Sequence, residues 1–433
     1  MITLAASPPR TLPRHHPAHT MRPLRCRHCL HQLDDREHLF IDLGSAPPSN
    51  AFLRDDALGA PEAWLPLRLH TCPRCLLVQV DEIQSHAELF SDDYVYFSSY
   101  SSSWLAHARA YVDVAIDRLG LGATTPVFEV ASNDGYLLQF VRDRGIPCLG
   151  IEPTASTARA ARERGITTEE VFLGADSAHA LVERHGRARL VVGNNVLAHV
   201  PDINDFVLGL ATLLDDTGTL TLEFPHLLRL IDQAQFDTIY HEHFSYLSLH
   251  TVQRVLASQG LQIWDVEELP THGGSLRIWA GHADRPRPTS RSMQAVLTAE
   301  FQAGLLAPSG YKGLQERAES IKNDLLMFLI EAKRAGKSVL GYGAAAKGNT
   351  LLNFAGIRRD LLPAVLDASP HKQGRFLPGS RIPVVAPAEL EVRRPDYILV
   401  LPWNLSAEIS TQLAHTRDWG TQFVTAVPQL SVW

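Results

Sequence analysis

The spacing of the cysteines constrains this chain more than any other feature of its sequence. Four of the five cysteines form two C-x-x-C pairs, Cys26 with Cys29 and Cys72 with Cys75. A C-x-x-C turn points two thiolates at one ion, and two such turns complete the tetrahedral shell that Zn²⁺ prefers. Four thiolates leave no open coordination position, so we predict a structural zinc ion. Its binding would supply folding free energy to a segment of about 60 residues that can bury little core by itself.

Other roles for these residues fit the spacing less well. A redox dithiol occurs singly and beside the start of a helix, whereas the motif occurs twice in this chain. His28 or His31 could replace one sulfur, but four cysteines already complete the shell. The fifth cysteine, Cys148, lies in an apolar run and is predicted to be a core residue.

Composition excludes several classes of protein. A length of 433 residues predicts two to four domains at roughly 100–200 residues each, and a hydrophobic content of 45% gives each domain a core. The formal net charge of −7 provides no overall positive field for nucleic acid. No apolar run reaches the roughly 18 residues of a membrane span, and the N-terminus lacks the layout of a signal peptide. We therefore expect a cytoplasmic enzyme or binding protein with neither a nucleic-acid nor a membrane partner.

The order of apolar segments predicts an α/β fold. Residues 1–21 are rich in Pro, His and Arg without any period, so they are predicted to be a disordered arm, the alternative being untranslated sequence before a start at Met21. From residue 111 onward, apolar strands alternate with amphipathic helices, as in a sheet with crossover connections. The strand candidates of this central part are residues 127–131, 147–151, 190–193 and 219–224.

Two further patterns extend this organisation. Residues 261–266 and 275–280 have no clear helix between them, which predicts an antiparallel pair at the edge of the sheet. Residues 286–335 are helical in pattern, and a second βα unit begins at residues 337–343. The predicted domains are a zinc-binding domain over residues 22–82, a central domain over 83–285 and a C-terminal Rossmann-like domain over 286–433.

The first predicted strand leads into a turn with the chemistry of a nucleotide-like site, followed by a predicted helix over residues 136–144. Such turns are where α/β sheets bind these ligands. Asp134 lies where a pyrophosphate would approach, which disfavours a dinucleotide and suits a ligand with an amine and a sulfonium. Glu152 ends the second strand, where it can accept both hydroxyls of a ribose. These features predict an S-adenosylmethionine site, the alternative being a surface turn with a solvated acid.

The predicted contacts of this cofactor lie at the carboxyl ends of three neighbouring strands. Asn194 and Asn195 follow the third strand candidate, so they would border the ligand from that side. The full predicted set is Glu129, Ala131, Asn133, Asp134, Gly135, Glu152, Asn194 and Asn195.

Residues 240–246 form a second cluster of chemically active side chains. The spacing is not the His-Glu-x-x-His of a zinc protease, because position 245 is a serine. Methyl transfer to a carbon beside a carbonyl requires an imidazole base, a carboxylate that orients it and a phenol that donates to the enolate oxygen. The cluster contains all three groups. The alternative is a helix face or a solvated loop that holds them without a catalytic function.

Six motifs in this order resemble those of the three-part sugar C-methyltransferases. They are the paired cysteines and residues 129–135, 194–200, 240–246, 272–277 and 341–349. The resemblance covers nearly everything after residue 21. It implies a zinc-binding N-terminal domain, a central class I S-adenosylmethionine domain of Rossmann-like fold and a C-terminal Rossmann-like domain. The substrate that it implies is a dTDP-linked 4-keto-deoxysugar, held in the cleft between the last two domains.

The same resemblance implies roles for individual residues. His243 resembles the base that removes the C3 proton, and Glu242 and Tyr240 resemble its supporting partners. His199 resembles another active-site group. The full set of predicted catalytic residues is His243, Glu242, Tyr240, Tyr94, Tyr96 and His199.

The resemblance also bears on two tyrosines near the N-terminal domain and on one residue of the cofactor turn. Tyr94 or Tyr96 resembles a phenol that the N-terminal part of these enzymes inserts into the site. Ala131 stands where the family often has glycine, which predicts a somewhat fuller turn.

The second βα unit carries a glycine-rich turn of its own. Its small residues let a phosphate approach, and Lys347 adds a positive charge. By itself the turn could bind NAD or nothing, because the Gly-x-Gly-x-x-Gly spacing is broken at Ala346. The resemblance implies a cradle for the substrate's diphosphate, helped by Lys372, Gln373 and Arg375. The alternative for Lys372 and Arg375 is that they are surface charges. The predicted substrate-binding residues are His272, Lys347, Asn349, Lys372 and Arg375.

These features predict methyl transfer from S-adenosylmethionine to C3 of a dTDP-4-keto-6-deoxysugar. One alternative is an RNA methyltransferase whose four-cysteine module reads nucleic acid, but residues 30–71 mix acids with bases. The other is a non-catalytic sugar-nucleotide binding protein, which the intact cluster at residues 240–246 disfavours. The chain shows no heptad pattern, and a monomer is expected.

Overall fold

The computed structural model describes residues 24–81 and 97–433. The predicted arm over residues 1–21 lies outside these ranges, as do Tyr94, Tyr96 and the predicted boundary between the first two domains. Within the two ranges, no helix combines the length and the apolar character needed to cross a bilayer.

The strands of the described residues form three sheets. In chain order they are β1 (Leu39–Ala46), β2 (Leu65–Thr71), β3 (Val78–Val80), β4 (Val127–Val130), β5 (Cys148–Ile151), β6 (Thr168–Glu169), β7 (Ala188–Asn194), β8 (Leu214–Pro225), β9 (Ser245–Tyr246), β10 (Leu261–Leu269), β11 (Ser275–His282), β12 (Val339–Tyr342), β13 (Val365–Leu366), β14 (Val384–Val385), β15 (Tyr397–Val400), β16 (Gln422–Thr425) and β17 (Ser431–Val432).

The α-helices of the described residues cover these sheets. They are α1 (Ser102–Leu119), α2 (Leu138–Arg142), α3 (Ala155–Glu163), α4 (Ala175–His185), α5 (Ile203–Leu213), α6 (Leu227–Asp232), α7 (Leu249–Ser258), α8 (Arg291–Gln302), α9 (Leu314–Arg334), α10 (Ala346–Phe354), α11 (Glu389–Arg393) and α12 (Ser406–Gln412).

The central sheet has the order β10-β11-β8-β7-β4-β5-β6. Its strands from β8 to β6 are parallel, and β11 runs antiparallel to both β8 and β10. The predicted α/β sheet and its antiparallel edge pair are therefore confirmed. Because the parallel strands all end at one edge, the polar residues that follow β4, β5, β7 and β8 are brought together there.

The C-terminal sheet has the order β14-β13-β12-β15-β16-β17 and is parallel except for β17. It confirms the predicted second βα unit, in which β12 leads into α10. The predicted helical stretch over residues 286–335 consists of the two helices α8 and α9. The helix predicted over residues 136–144 is shorter, since the residues before Leu138 still belong to the turn after β4.

The N-terminal sheet takes one strand from a distant part of the chain. Its order is β1-β2-β3-β9, and β9 pairs with β3 through Val78 with Tyr246 and Gln79 with Ser245. The chemically active segment 240–246 thus ends as an edge strand of the domain that carries the cysteines. The sequence gives no sign of this pairing, because the two strands lie more than 160 residues apart.

Two apolar cores join the domains. One contains Phe40 and Leu69 of the N-terminal sheet, Phe236 before the active segment, and Leu325 and Leu352 of the C-terminal domain. The other joins the buried cysteines to the central sheet. The segment 236–246 therefore lies where the N-terminal sheet meets the C-terminal domain. The predicted domain boundaries remain predictions.

Candidate active site

The four paired cysteines come together in one cluster. Their sulfur atoms all lie within 4.8 Å of one another, with 3.3 Å between Cys26 and Cys75 and 3.5 Å between Cys29 and Cys72. Cys26, Cys72 and Cys75 are fully buried, and Cys29 is half-buried. Four thiol donors at this spacing suit a tetrahedral zinc ion, which has 2.3 Å bonds to sulfur in structural sites.

The C-x-x-C turn of Cys26 and Cys29, here called the first knuckle, also contacts the chemically active segment 240–246. His28 is not part of the cysteine cluster, and its Nδ1 lies 2.7 Å from Asn204 Oδ1. Arg27 donates to the Phe244 carbonyl at 3.2 Å, and its guanidinium lies 4.9 Å from the centre of the Phe244 ring. The knuckle therefore holds the backbone next to His243.

The turn after β4 is built from residues with positive φ. Ala131 has φ 56° and Asn133 has φ 50°, in the left-handed region that favours glycine. The Asn133 side chain accepts the Ser98 N–H at 2.9 Å, and the Asn133 N–H donates to Glu152 at 2.9 Å. These bonds hold Ala131 in its unfavourable conformation and tie the end of β4 to the end of β5.

Asp134, predicted to disfavour a dinucleotide at this turn, is paired within the protein. Its carboxylate is fully buried, lies 2.8 Å from Arg164 Nη1 and accepts the Ser99 hydroxyl. An unpaired buried carboxylate would be costly, and the fold supplies a compensating charge. Its contact with a cofactor stays a prediction.

Two further carboxylates converge at these strand ends. Burial raises the pKa of Glu152, whose oxygens accept the N–H groups of Asn133 and Thr154. Burial and the neighbouring charges of Asp134 and Glu152 hold the pKa of Glu129 well above its ordinary value. A concentration of buried acceptors at the carboxyl edge of the sheet suits a ligand that brings an amine and ribose hydroxyls.

Asn194 and Asn195 border the same edge from β7. Asn194 Nδ2 lies 3.4 Å from the Tyr136 hydroxyl, on the cofactor side. Asn195 Nδ2 lies 3.2 Å from His272 Nε2. The pair therefore connects the predicted cofactor turn to His272, which the sequence predicts on the substrate side.

An aromatic cluster on α1 was not predicted from the sequence. Trp104 stacks on His107 and Tyr136 with ring centres 4.9 and 5.9 Å apart, and its ring meets His272 edge-on at 5.4 Å. His107 in turn lies 2.8 Å from the buried carboxylate of Glu223. The Trp-x-x-His spacing places both rings on one face of a helix. This spacing is the sequence signal from which the cluster could have been predicted.

His243 is fixed by a backbone carbonyl. Its Nδ1 lies 2.9 Å from the Thr238 carbonyl oxygen, which can only accept, so Nδ1 carries the proton and Nε2 keeps its lone pair. The Tyr240 ring packs on the imidazole at 3.9 Å between centres, and His199 meets it edge-on at 4.6 Å. Burial, with His199 nearby, holds the pKa of His243 well below its ordinary value. The imidazole is therefore neutral at pH 7 and oriented as a proton acceptor.

Glu242 does not support His243 as the sequence predicts. Its carboxylate accepts Asn50 Nδ2 at 2.8 and 2.9 Å, and Thr238 takes over the orientation of the imidazole. Asn50 follows a Pro-Pro-Ser run, a signal for a turn and not for a site.

The pH dependence of catalysis should respond to Asn50. Burial raises the pKa of Glu242 to about 7, and the Asn50 amide lowers it. Asn50→Ala removes that stabilisation of the carboxylate, so the pKa rises further and the acid remains protonated up to a higher pH. If catalysis needs the Glu242 carboxylate ionised, the acidic limb of the kcat/KM profile should move upward by about one pH unit. Ser49→Ala is the matched control, and an unmoved limb in Asn50→Ala would contradict an ionised role for Glu242.

The turn after β12 places Lys347 at the junction of the domains. Lys347 Nζ lies 2.7 Å from Asn404 Oδ1 and 4.7 Å from the centre of the Trp403 ring. Burial lowers the pKa of Lys347, while the charge of Asp237 opposes this shift. Asn349 is fully buried, and neither its amide nitrogen nor its oxygen meets a partner among the described residues. The contact of both side chains with a substrate stays a prediction.

The other residues predicted to contact the diphosphate lie in the loop after β13. Lys372 donates to the Ala344 carbonyl at 3.0 Å and lies 3.5 Å from Asp367, so it is not a solvated surface charge. Gln373 donates to the Asp367 carbonyl at 2.9 Å. Arg375 is half-buried in the same loop, with its N–H bonded to the Lys372 carbonyl.

Comparison with known proteins identifies the chain. A family of C-methyltransferase C-terminal domains matches residues 270–428, a methyltransferase domain family matches residues 104–266, and a zinc binding domain family matches residues 26–90. C-methyltransferase NovU from Streptomyces niveus is 33% identical over 410 residues, which cover 94% of this chain and 97% of the relative. The chain belongs to the C-methyltransferase family. Its cofactors are S-adenosylmethionine and a structural zinc ion, for which the buried carboxylates and the four thiols supply fitting donors.

Solved methyltransferases resemble part of this C-methyltransferase. Magnesium protoporphyrin IX methyltransferase from Synechocystis PCC 6803, with bound SAH, is 16% identical with a TM-score of 0.33 and covers 41% of this chain and 82% of its own. The CcbJ methyltransferase from Streptomyces caelestis is 14% identical with a TM-score of 0.31 and covers 41% of this chain and 89% of its own.

Proposed function

We propose that this C-methyltransferase methylates C3 of a dTDP-linked 4-keto-6-deoxysugar through an enolate, in the biosynthesis of a branched deoxysugar. The observation that carries the proposal is the fixed, neutral imidazole of His243. A methyl acceptor at carbon must first lose a proton beside a carbonyl, and a buried imidazole with Nε2 unprotonated can take it. Methylation at oxygen would need no such acidification of a carbon.

The surrounding side chains suit the charge that this step develops. The phenol of Tyr240, packed on the base, can donate to the enolate oxygen, and Tyr94 or Tyr96 could share this role. Each donor aimed at that oxygen can contribute about 3–4 kcal/mol. Asn50 and Glu242 form a second polar pair beside the base. S-adenosylmethionine, when bound, supplies the electrophilic methyl group.

The cofactor and the sugar nucleotide would lie on opposite sides of the base. The turn after β4 and the residues Glu152, Asn194 and Asn195 would hold the cofactor. Lys347 and Asn349 of the C-terminal domain would hold the diphosphate, since both offer donors within a largely buried site. His272, linked to Asn195 at 3.2 Å, lies between the two sets.

The position of the zinc domain disfavours RNA as the substrate. Arg27 of the first knuckle is engaged with Phe244 inside the molecule, and the cysteines pack into the core of the central sheet. A module that reads RNA would instead present its basic residues to solvent.

The proposal is tested by turnover. The protein is incubated with S-adenosylmethionine and a small panel of dTDP-4-ketosugars, and mass spectrometry should find one product heavier by a single methylene. Titration calorimetry should detect binding of dTDP and of S-adenosylmethionine to the protein. A gel-shift assay should detect no binding of RNA. Binding without turnover would support the non-catalytic alternative, and an RNA shift would overturn the proposal.

A further inference from the structure

We propose that Trp403 and Thr350 of the C-terminal domain position the base His243 by clamping the short segment 237–239. The inference rests on the proposed function. It assigns to the C-terminal domain a part in proton removal, beyond holding the substrate. Both are positioning residues, since they act on the imidazole through the backbone.

The clamp has two hydrogen bonds, one on each side of Thr238. Trp403 Nε1 donates to Asp237 Oδ2 at 2.8 Å, and the Thr350 hydroxyl donates to the Ile239 carbonyl at 2.8 Å. Asp237, Ile239 and Thr350 are all buried. The carbonyl of Thr238, between the two anchored residues, is the one that orients His243.

The geometry makes the orientation of the imidazole depend on this segment. Residues 236–238 form a single 3-10 turn, closed by bonds from the Thr238 N–H to the Gln235 carbonyl at 3.0 Å and from the Ile239 N–H to the Phe236 carbonyl at 3.1 Å. Neither of these bonds engages the Thr238 carbonyl oxygen. Asp237 Oδ1 is buried without a hydrogen-bond partner among the described residues, and Asp237 Oδ2 accepts the Trp403 N–H. If Trp403 releases Asp237, the Thr238 carbonyl can rotate and His243 loses the contact that fixes its tautomer.

Trp403 also links the base to the proposed substrate cradle. Its ring face lies 4.7 Å from Lys347 Nζ, and its edge lies against Gly273, where a Cβ would overlap the indole ring. Gly273 has φ 91° and follows His272, so the close approach needs a glycine there. The same indole thus touches the cradle, the His272 loop and the clamp.

The test uses solvent deuterium exchange at C3 of a dTDP-4-ketosugar by the full chain in D₂O. We expect Trp403→Phe, which keeps the ring face for Lys347 but loses the N–H, to slow exchange by about tenfold to a hundredfold. The affinity for S-adenosylmethionine and the KM for the sugar should change by less than threefold. Trp419→Phe is the matched control, since among the described residues no acceptor meets its buried indole N–H.

A second pair of variants tests the other bond. Thr350→Val should slow exchange, whereas Thr350→Ser, which keeps the hydroxyl, should exchange at close to the wild-type rate. Thr416→Val removes a comparable buried hydroxyl, bonded to the Leu413 carbonyl at 2.8 Å, and should leave exchange unchanged. If Trp403→Phe does not fold, the Thr350 pair carries the test.

The outcomes separate the inference from the proposed function. If the wild-type protein exchanges, and Trp403→Phe and Thr350→Val exchange as fast as their control variants, the clamp is overturned. Absence of exchange in the wild-type protein with every sugar would overturn the proposed function instead.

Discussion

Replacing His243 with asparagine is expected to abolish proton removal while leaving the cofactor site intact. Asparagine can place its Nδ2 donor near the position of the imidazole Nδ1, so the bond to the Thr238 carbonyl at 2.9 Å can persist. It offers no basic nitrogen in place of Nε2. Loss of a general base typically costs about 10²- to 10⁴-fold, and we expect losses of that size in both C3 exchange and turnover.

The measurement compares the rate of deuterium exchange at C3 with the affinity for S-adenosylmethionine, obtained by calorimetry. His241→Gln is the matched control. His241 Nε2 lies 3.1 Å from the Pro66 carbonyl, and glutamine can place its amide nitrogen there, so exchange should stay within about twofold of the wild-type rate. Wild-type exchange in His243→Asn would exclude His243 as the base.

Removal of zinc is expected to unfold the N-terminal domain and to inactivate the enzyme. Structural zinc contributes about 10–16 kcal/mol in small domains, comparable with the entire stability of about 5–15 kcal/mol of a typical protein. Without the ion, four thiols clustered within 4.8 Å lose the bonds that hold them. Arg27 would then release the Phe244 carbonyl, and β3 would release β9, so the segment beside His243 loses its support.

The loss can be followed with Cys72→Ser and with a chelator. Metal analysis should find one zinc per wild-type chain and a reduced content in Cys72→Ser, and thermal unfolding should begin at a lower temperature in the variant. Cys148→Ser makes the same substitution outside the knuckles, where Cys148 Sγ lies 4.0 Å from the Leu138 carbonyl, and should keep its zinc. Full zinc content and unchanged thermal unfolding in Cys72→Ser would contradict a four-cysteine site.

The sequence was most informative where a function depends on residues that are close along the chain. The two C-x-x-C turns, the strand-turn-helix at residues 127–142 and the βα unit at β12 are local patterns, and each was found at the predicted place. The alternation of apolar segments also predicted the sheet, and the lack of a helix between β10 and β11 predicted their antiparallel pairing.

Contacts between distant residues could not be predicted in the same way. Glu242 accepts hydrogen bonds from Asn50, 192 residues earlier, and Trp403 reaches Asp237 across 166 residues. Neither Asn50 nor Trp403 stands in a pattern that names its partner. The ion pair between Asp134 and Arg164 is a further case. Arg164 lies 30 residues after Asp134 in the chain, at the end of a helix, and no local pattern connects the two.

The sequence by itself determined the chemistry that is available: four thiols for a metal, carboxylates at strand ends and a histidine, glutamate and tyrosine in one short run. The tertiary structure decided which of these groups act on one another. It gave His243 a backbone carbonyl in place of a carboxylate, and it brought the supports of that segment from both the N-terminal and the C-terminal domain. The reason is physical, since a side chain's neighbours are set by packing across the fold, whereas the order of the chain fixes only the neighbours along the backbone.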